Sequence, residues 1–311
     1  MSNWIKNLLG IIILAFLIWY LSRHWSELRV LLSLKVVDLL LLYALSGVVT
    51  ISNSFASQQL MKSLNVKVPF WEIVLLQNAS ALLNYVPMKF GTIFQGRYLK
   101  RHYNLSYAHY VAMFVYLTFL MVIATAMVSL VILFTVYGFR GYENKILAAF
   151  FATLLLGSLI FLFLPLPVPD GSGIISTTIR RFLTGRSTVS KNSKVIIICT
   201  GFSTLALLAY AVQIGIIYRS IGQNLHPGGY LILGALGFTS LVISLTPGAL
   251  GIRELVLGAG AVALGVPLEV GILAAVFQRA VILIWAFVVG GGCVMWLWHK
   301  YPADFSESKN L

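Results

Sequence analysis

Two adjacent residues of opposite charge, Arg253 and Glu254, directly follow a proline- and glycine-rich segment, Thr246-Pro-Gly-Ala-Leu-Gly251, and an Ile. If a helix begins after this segment, its free N–H groups and the positive end of its dipole lie beside Arg253, and together they can bind a phosphate. Glu254 would balance Arg253 in the empty site or take up a coupling proton. In the alternative, Glu254 caps the helix and Arg253 extends to an aqueous boundary.

Two further arginines complete the predicted phosphate-binding set. Arg97 follows a similar break, Val86-Pro87-Met-Lys-Phe-Gly91, whereas Lys100 and Arg101 beyond it are typical of charges that anchor a helix end. Arg279 interrupts a long apolar stretch, so its side chain must face a partner or an aqueous cavity. We therefore expect Arg97, Arg253 and Arg279 to bind a lipid phosphate, with Glu254 as counter-ion or proton carrier.

The remaining ionisable residues do not suggest an enzyme. The nine acidic residues and five histidines show no metal-ligand spacing, and no glycine-rich phosphate loop followed by Lys-Ser/Thr is present. We expect no metal, no cofactor and no catalytic group, although an enzyme acting on a lipid phosphate is a weaker alternative. The net charge of +13 is spread too thinly for a nucleic-acid-binding surface.

The composition determines which elements position these residues. Of 311 residues, 59% are hydrophobic and 10% are charged, and the mean hydropathy is +0.91. Soluble domains carry about 25% charged residues, so the chain is predicted to be an all-α, polytopic membrane protein. Because a helix needs about 20 apolar residues to cross a bilayer, six stretches qualify. They are Trp4–Leu21, Val36–Leu60, Tyr107–Tyr137, Ile146–Pro165, Val195–Tyr218 and Leu268–Trp298.

Two more apolar stretches are interrupted. Phe70–Val86 and Gly229–Leu245 run into breaks formed by Pro87 and Gly91 and by Pro247, Gly248 and Gly251. Unpaired backbone at membrane depth survives only where protein or water lines it, so we expect two re-entrant hairpins.

The two breaks share the spacing Pro-x-x-x-Gly and are separated by half the length of the chain. This recurrence predicts two inverted repeats, about 1–140 and 141–300, followed by a polar tail, 301–311, within a single membrane domain. Chance recurrence of Pro-Gly breaks in an ordinary bundle is the alternative.

Lysine and arginine residues predict the orientation. With the N-terminus inside, 14 of them fall on the cytoplasmic side and seven on the other, which favours both termini in the cytoplasm. The basic segment from Arg180 to Lys194 would lie on the cytoplasmic face. We expect Trp4–Leu21 to be a retained first helix, because no small-residue cleavage site follows it.

The sequence resembles a known family. Thr246-Pro-Gly-Ala-Leu-Gly-Ile-Arg-Glu254 is similar to the Pro-Gly-Gly-x-Gly-x-Arg-Glu segment in the transmembrane, flippase-like part of bacterial lysylphosphatidylglycerol synthases and their stand-alone relatives. Asn84–Arg97 resembles the first-half element of that family, except that Thr92 stands where an acid is common. The synthases' soluble aminoacyl-transferase part is not expected after Trp298. The resemblance implies a lipid-binding or lipid-translocating protein of the bacterial inner membrane.

The expected cargo is a phospholipid or a polyprenyl-phosphate-linked lipid of cell-envelope or glycan biosynthesis. The alternative function is a non-transporting partner or regulator of a lipid-dependent glycosyltransferase, with the basic segment as its docking surface. The sequence leaves the oligomeric state, direction and energy source open.

Overall fold

A computed structural model describes residues 34–85, 90–138, 141–164, 192–242 and 251–301. This part of the chain forms nine helices. They are α1 (Val36–Ser63), α2 (Phe70–Leu83), α3 (Phe90–Tyr103), α4 (Tyr107–Tyr137), α5 (Tyr142–Phe163), α6 (Ser193–Ser220), α7 (Pro227–Val242), α8 (Ile252–Ala263) and α9 (Leu268–Lys300). The predicted all-α class is confirmed.

Five helices, α1, α4, α5, α6 and α9, are long and apolar enough to cross a membrane. The protein is therefore a multi-pass membrane protein, and five of the six predicted spans are confirmed. The sixth, Trp4–Leu21, lies outside the described residues, as do Pro87, Pro247 and Gly248 of the two predicted breaks.

The spans pack around two hydrophobic clusters, one at each end of the bundle. The first contains Leu60 near the end of α1, Leu162 near the end of α5 and Leu297 near the end of α9. The second contains Leu42 near the start of α1 and Ile217 near the end of α6. Successive spans therefore run in alternating directions between the two ends.

The short helices attach to these two ends. Tyr98 and Tyr103, towards the end of α3, donate hydrogen bonds to Glu72 in the first turn of α2, the second at 2.8 Å. Hence α2 begins and α3 ends at the first end. At the other end, the Cβ position of Gly229 in α7 lies 3.6 Å from Leu264, just beyond α8.

Gly91 is required by close packing between α2 and α3. A Cβ atom on Gly91 would lie 2.0 Å from the backbone oxygen of Ser80, a distance at which no side chain fits. The carboxamide oxygen of Asn84 accepts the N–H of Thr92 at 3.0 Å and so caps the first turn of α3. The glycine in the predicted first break therefore allows two helices to touch.

The long helix α9 contains a π-helical turn, Ala286–Gly290, that packs against α2. The indole N–H of Trp285 donates to the side-chain oxygen of Asn78 at 3.0 Å. The Cβ position of Gly290 lies 2.7 Å from the backbone oxygen of Asn78. Because α9 also packs extensively against α8, it connects both pairs of short helices.

Candidate functional site

Helix α8 begins at a glycine in the left-handed region. Gly251 has φ 82°, a conformation that L side chains rarely adopt, and it precedes the first helical residue. The backbone N–H of Gly251 donates to Oε2 of Glu254 at 2.9 Å. Glu254 therefore caps its own helix, as one of the two sequence-based interpretations proposed.

The other carboxylate oxygen of Glu254 faces helix α9. Its Oε1 lies 2.6 Å from Nη1 of Arg279, in an ion pair whose two side chains are 12% and 8% exposed. Oε1 accepts no hydrogen bond, so its contact with Arg279 is purely electrostatic. Glu254, expected from the sequence to be the counter-ion of Arg253, is thus paired with Arg279.

Arg253 is directed into the bundle and is only 3% exposed. Its Nη2 donates a hydrogen bond to the hydroxyl of Tyr210 on α6, and its guanidinium carbon lies 5.6 Å from the centre of that ring. Its Nε atom is buried without a hydrogen-bond partner. The suggested extension of Arg253 to an aqueous boundary is therefore wrong: Tyr210 holds the side chain inside the protein.

One turn from Tyr210 on α6, Gln213 joins three helices. Its amide nitrogen donates to the backbone oxygen of Leu42 at 2.7 Å and to the hydroxyl of Ser46 at 2.8 Å, both on α1. Its amide oxygen accepts a hydrogen bond from Nε2 of Gln278 on α9 at 3.1 Å. We call Gln213 and Gln278 the amide pair. Both side chains are about 1–2% exposed, and Oε1 of Gln278 has no hydrogen-bond partner.

A cavity lies beside the amide pair, between helices α6, α7, α8 and α9. It has room for about one water molecule, and Gln278 forms part of its wall. Leu257, one turn beyond Arg253 on α8, and Ala274 and Ala275 on α9 also line it. The lining is therefore mostly apolar and includes neither Arg253 nor Arg279.

The structure brings together three of the four predicted charged residues. Arg253, Glu254 and Arg279 lie on the adjacent helices α8 and α9. Arg97 is partly buried on α3, which packs mainly against α2 and α4, so it belongs to a different group of helices.

The first group of short helices has its own polar cluster. Tyr98 and Tyr103 share the carboxylate of Glu72, and the ring of Tyr98 lies 5.5 Å from that of Tyr301 beyond α9. Burial, and then the hydrogen bond to Glu72, raises the pKa of Tyr103, which therefore remains a neutral donor at physiological pH. This cluster joins the ends of α2, α3 and α9.

Sequence reasoning missed Tyr210 and Gln213 as partners of the charged residues. A glutamine in the middle of an otherwise apolar span was the available signal, because such a side chain needs a hydrogen-bond partner there. No three His, Cys, Asp or Glu side chains in the described ranges are grouped so that they could hold a metal ion.

Comparisons with known proteins identify the family of this chain. A search of curated proteins finds no match to this chain. The family model described as "Lysylphosphatidylglycerol synthase TM region" matches residues 7–290, which is nearly the whole chain. The match includes Arg253, Glu254 and Arg279 with the helices that hold them. The protein therefore belongs to the lysylphosphatidylglycerol synthase transmembrane-region family.

Proposed function

We propose that the protein binds the phosphate of a membrane lipid at Arg253 and moves that lipid between the leaflets. The observation that carries the proposal is the state of Arg253, which is 3% exposed, held by Tyr210 and has an unpartnered Nε–H group. A buried guanidinium with an unused donor can bind a phosphate oxygen in a charge-assisted hydrogen bond. The acyl or prenyl tail would remain in the surrounding lipid.

The charge of the site supports an anionic ligand. Arg253 and Arg279 contribute two positive charges and Glu254 one negative charge, and all three side chains are at least mostly buried. An unbalanced positive charge in a low-dielectric interior is costly. One phosphate would neutralise it, and the first turn of α8 presents further N–H groups and a positive dipole end nearby.

We further propose that the two pairs of short helices are re-entrant hairpins in inverted repeats. The starts of α1 and α2 are separated by the same interval as the starts of α6 and α7, and a long span, α4 or α9, follows each pair of short helices. Backbone detail supports the same correspondence. Positive φ angles recur at Asn65 and Gly222, each just after the span that precedes a pair of short helices, and at Asn104 and Gly265, each just before the long span that follows the pair. In this arrangement Arg97 would contact the phosphate on the cytoplasmic side.

Lipid movement in proteoliposomes tests the proposal. Fluorescent phospholipid and a polyprenyl-phosphate analogue would each be followed with the parent, Arg253→Ala and Arg253→Lys. We expect Arg253→Ala to slow movement at least about tenfold, because a hydrogen bond to a charged group contributes about 1.5–3 kcal/mol. Arg253→Lys keeps the charge but not the planar donor set, so its activity should be intermediate.

The matched control is Arg219→Ala, which removes an exposed arginine from the end of α6. It should move lipid at the parental rate. If correctly folded Arg253→Ala also moved lipid at the parental rate, the phosphate assignment would be wrong. If the parent moved neither lipid, the translocation proposal would fail, and a glycosyltransferase partner captured through the basic segment would be the function to test next.

A further inference from the structure

The side chain proposed to bind phosphate is closed off from lipid in the structure. Arg253 is 3% exposed, and the cavity beside Gln278 has room for about one water molecule. A headgroup phosphate can therefore reach Arg253 only after the helices around it separate. Helix α8, which carries Arg253, packs more extensively against α9 than against α7, so α8 and the adjoining segment of α9 should move together.

Helix α9 has different neighbours on the two sides of its π-helical turn, Ala286–Gly290. The first part, Leu268–Trp285, packs mainly against α8, and its Arg279 is paired with Glu254. The last part, Gly291–Lys300, packs against α2. The π-helical turn thus joins two parts of α9 that belong to different groups of helices.

Both ends of this turn contact Asn78 of α2. At one end, the indole N–H of Trp285 donates to the side-chain oxygen of Asn78. At the other end, Gly290 packs so closely on the backbone oxygen of Asn78 that no Cβ atom fits between them. The first contact is a single hydrogen bond that can open, whereas the second is a backbone-to-backbone approach. Gly290 therefore suits a pivot, and Trp285 suits a latch.

Two further glycines, Gly291 and Gly292, follow the turn and serve no packing contact among the described residues. Cβ atoms at these two positions would meet open space, unlike one at Gly290. Glycine inside a helix is less favourable than alanine, because its backbone is freer. Sharp bends in helices occur at π-helical turns and at small residues such as glycine. Both features coincide in this segment of α9.

We infer that residues 286–292 of α9, the π-helical turn and the two glycines after it, are a hinge at which α9 bends to open the site around Arg253. The inference rests on the proposed function and deepens it by naming the motion that lets the lipid enter. The last part of α9 stays on α2 during this motion. The first part swings with α8, which separates Trp285 from Asn78 and draws Arg253 away from Tyr210.

The distance between two spin labels measures the bend. Leu255→Cys on α8 and Met295→Cys in the last part of α9 would carry the labels, because both positions are exposed and the native cysteines are buried. Double electron–electron resonance would be recorded in phosphatidylglycerol nanodiscs for the labelled parent, Gly291→Ala/Gly292→Ala and Trp285→Phe. In the parent we expect two distances, one that matches the structure and one from the bent helix.

The two variants should shift these populations in opposite directions. Alanine favours the regular helix, so Gly291→Ala/Gly292→Ala should lower the bent population at least about fivefold. Trp285→Phe removes the hydrogen bond to Asn78 and should raise the bent population about fivefold. General damage to the fold would not produce shifts of opposite sign.

Lipid movement in proteoliposomes provides the second measurement. Gly291→Ala/Gly292→Ala should raise the apparent Tm but slow the movement of phosphatidylglycerol at least about fivefold, because each passage requires the bend. The matched control is Gly157→Ala/Gly201→Ala, which replaces exposed helical glycines on α5 and α6 whose Cβ positions also meet open space. The control should raise the apparent Tm and move lipid at the parental rate.

The possible failures differ between the hinge and the proposed function. A single distance in both the parent and Trp285→Phe, or equal populations in the parent and Gly291→Ala/Gly292→Ala, would overturn the hinge, while slower movement by Arg253→Ala would still support the proposed function. Parental rates of lipid movement in a glycine variant whose distances have shifted would also overturn the inference. Two distances in a parent that moves no lipid would instead contradict the proposed function.

Discussion

Replacing Glu254 by Gln tests whether the ion pair with Arg279 stabilises the fold. Gln keeps an oxygen that can accept the N–H of Gly251, so the helix cap survives while the charge is lost. The guanidinium of Arg279, which lies 2.6 Å from the carboxylate and is 8% exposed, would then lose the negative charge of Glu254. Breaking a buried pair in this way costs about 3–5 kcal/mol.

The expected shift in melting temperature follows from this magnitude. At about 2 °C per kcal/mol for a chain of this size, the apparent Tm should fall by about 6–10 °C. The assay is thermal unfolding in detergent and in nanodiscs at one heating rate, because membrane proteins often unfold irreversibly. Tryptophan fluorescence would provide the signal.

Arg279→Gln and the double variant Glu254→Gln/Arg279→Gln test the same ion pair. Arg279→Gln should destabilise less than Glu254→Gln, since the remaining carboxylate stays at a helix N-terminus, where the dipole favours negative charge. The double variant should recover much of the lost stability, because no buried charge is left unpaired within the pair. A fall in Tm of less than about 2 °C for Glu254→Gln, or a double variant no more stable than that single variant, would refute the argument.

Two glycine substitutions follow from packing, and each has a matched control. Gly91→Ala should prevent folding or lower the yield severely, because its Cβ would lie 2.0 Å from the oxygen of Ser80, whereas Gly201→Ala meets open space and should be neutral or stabilising. Gly290→Ala should lower the apparent Tm, because its Cβ would lie 2.7 Å from the backbone oxygen of Asn78. Gly291→Ala, whose Cβ meets open space, should raise the free energy of unfolding by up to about 1 kcal/mol. Equal behaviour within either pair would contradict the packing described for that helix.

The spans could be predicted because the bilayer imposes a simple requirement. A helix that crosses hydrocarbon must satisfy its backbone internally and present apolar side chains over about 20 residues, and α4, α5 and α9 show this in sequence. The first break could be located from Gly91, but its contact with Ser80 depends on how α2 and α3 approach each other. Composition and hydropathy carry no information about that distance.

The pairing within the site could not be predicted, because it depends on which helices are neighbours. Arg253 and Tyr210 are 43 residues apart in sequence, and adjacency favoured Glu254 as the partner of Arg253. Ser46 and Ser57 on α1 show the same difficulty. Their positions in the sequence do not indicate which helix each hydroxyl faces, and the structure bonds Ser46 to Gln213 and Ser57 to Gln77.

The charge distribution over the two ends predicts the orientation. One end of the bundle holds Leu60, Leu162 and Leu297. Among the described residues at this end, cations outnumber acids, because Glu72 is the single acid there. Its carboxylate accepts hydrogen bonds from two tyrosines. The cations there are Lys62, Lys67, Lys100, Arg101, Lys194 and Lys300. At the opposite end, three described cations, Lys35, Lys145 and Arg219, face three acids, Asp38, Glu143 and Glu269. The positive-inside rule then predicts that the first end faces the cytoplasm.

Cysteine labelling in intact cells tests this orientation, because both native cysteines, Cys199 and Cys293, are buried. Lys67→Cys, in the loop between α1 and α2, should be protected from a membrane-impermeant thiol reagent until the membrane is opened. Asn224→Cys, in the loop between α6 and α7, should react in intact cells. The reverse pattern would place the basic end outside and would remove the argument that Arg97 meets lipid on the cytoplasmic side. Arg253, near the other pair of short helices, would then be the contact closer to the cytoplasm.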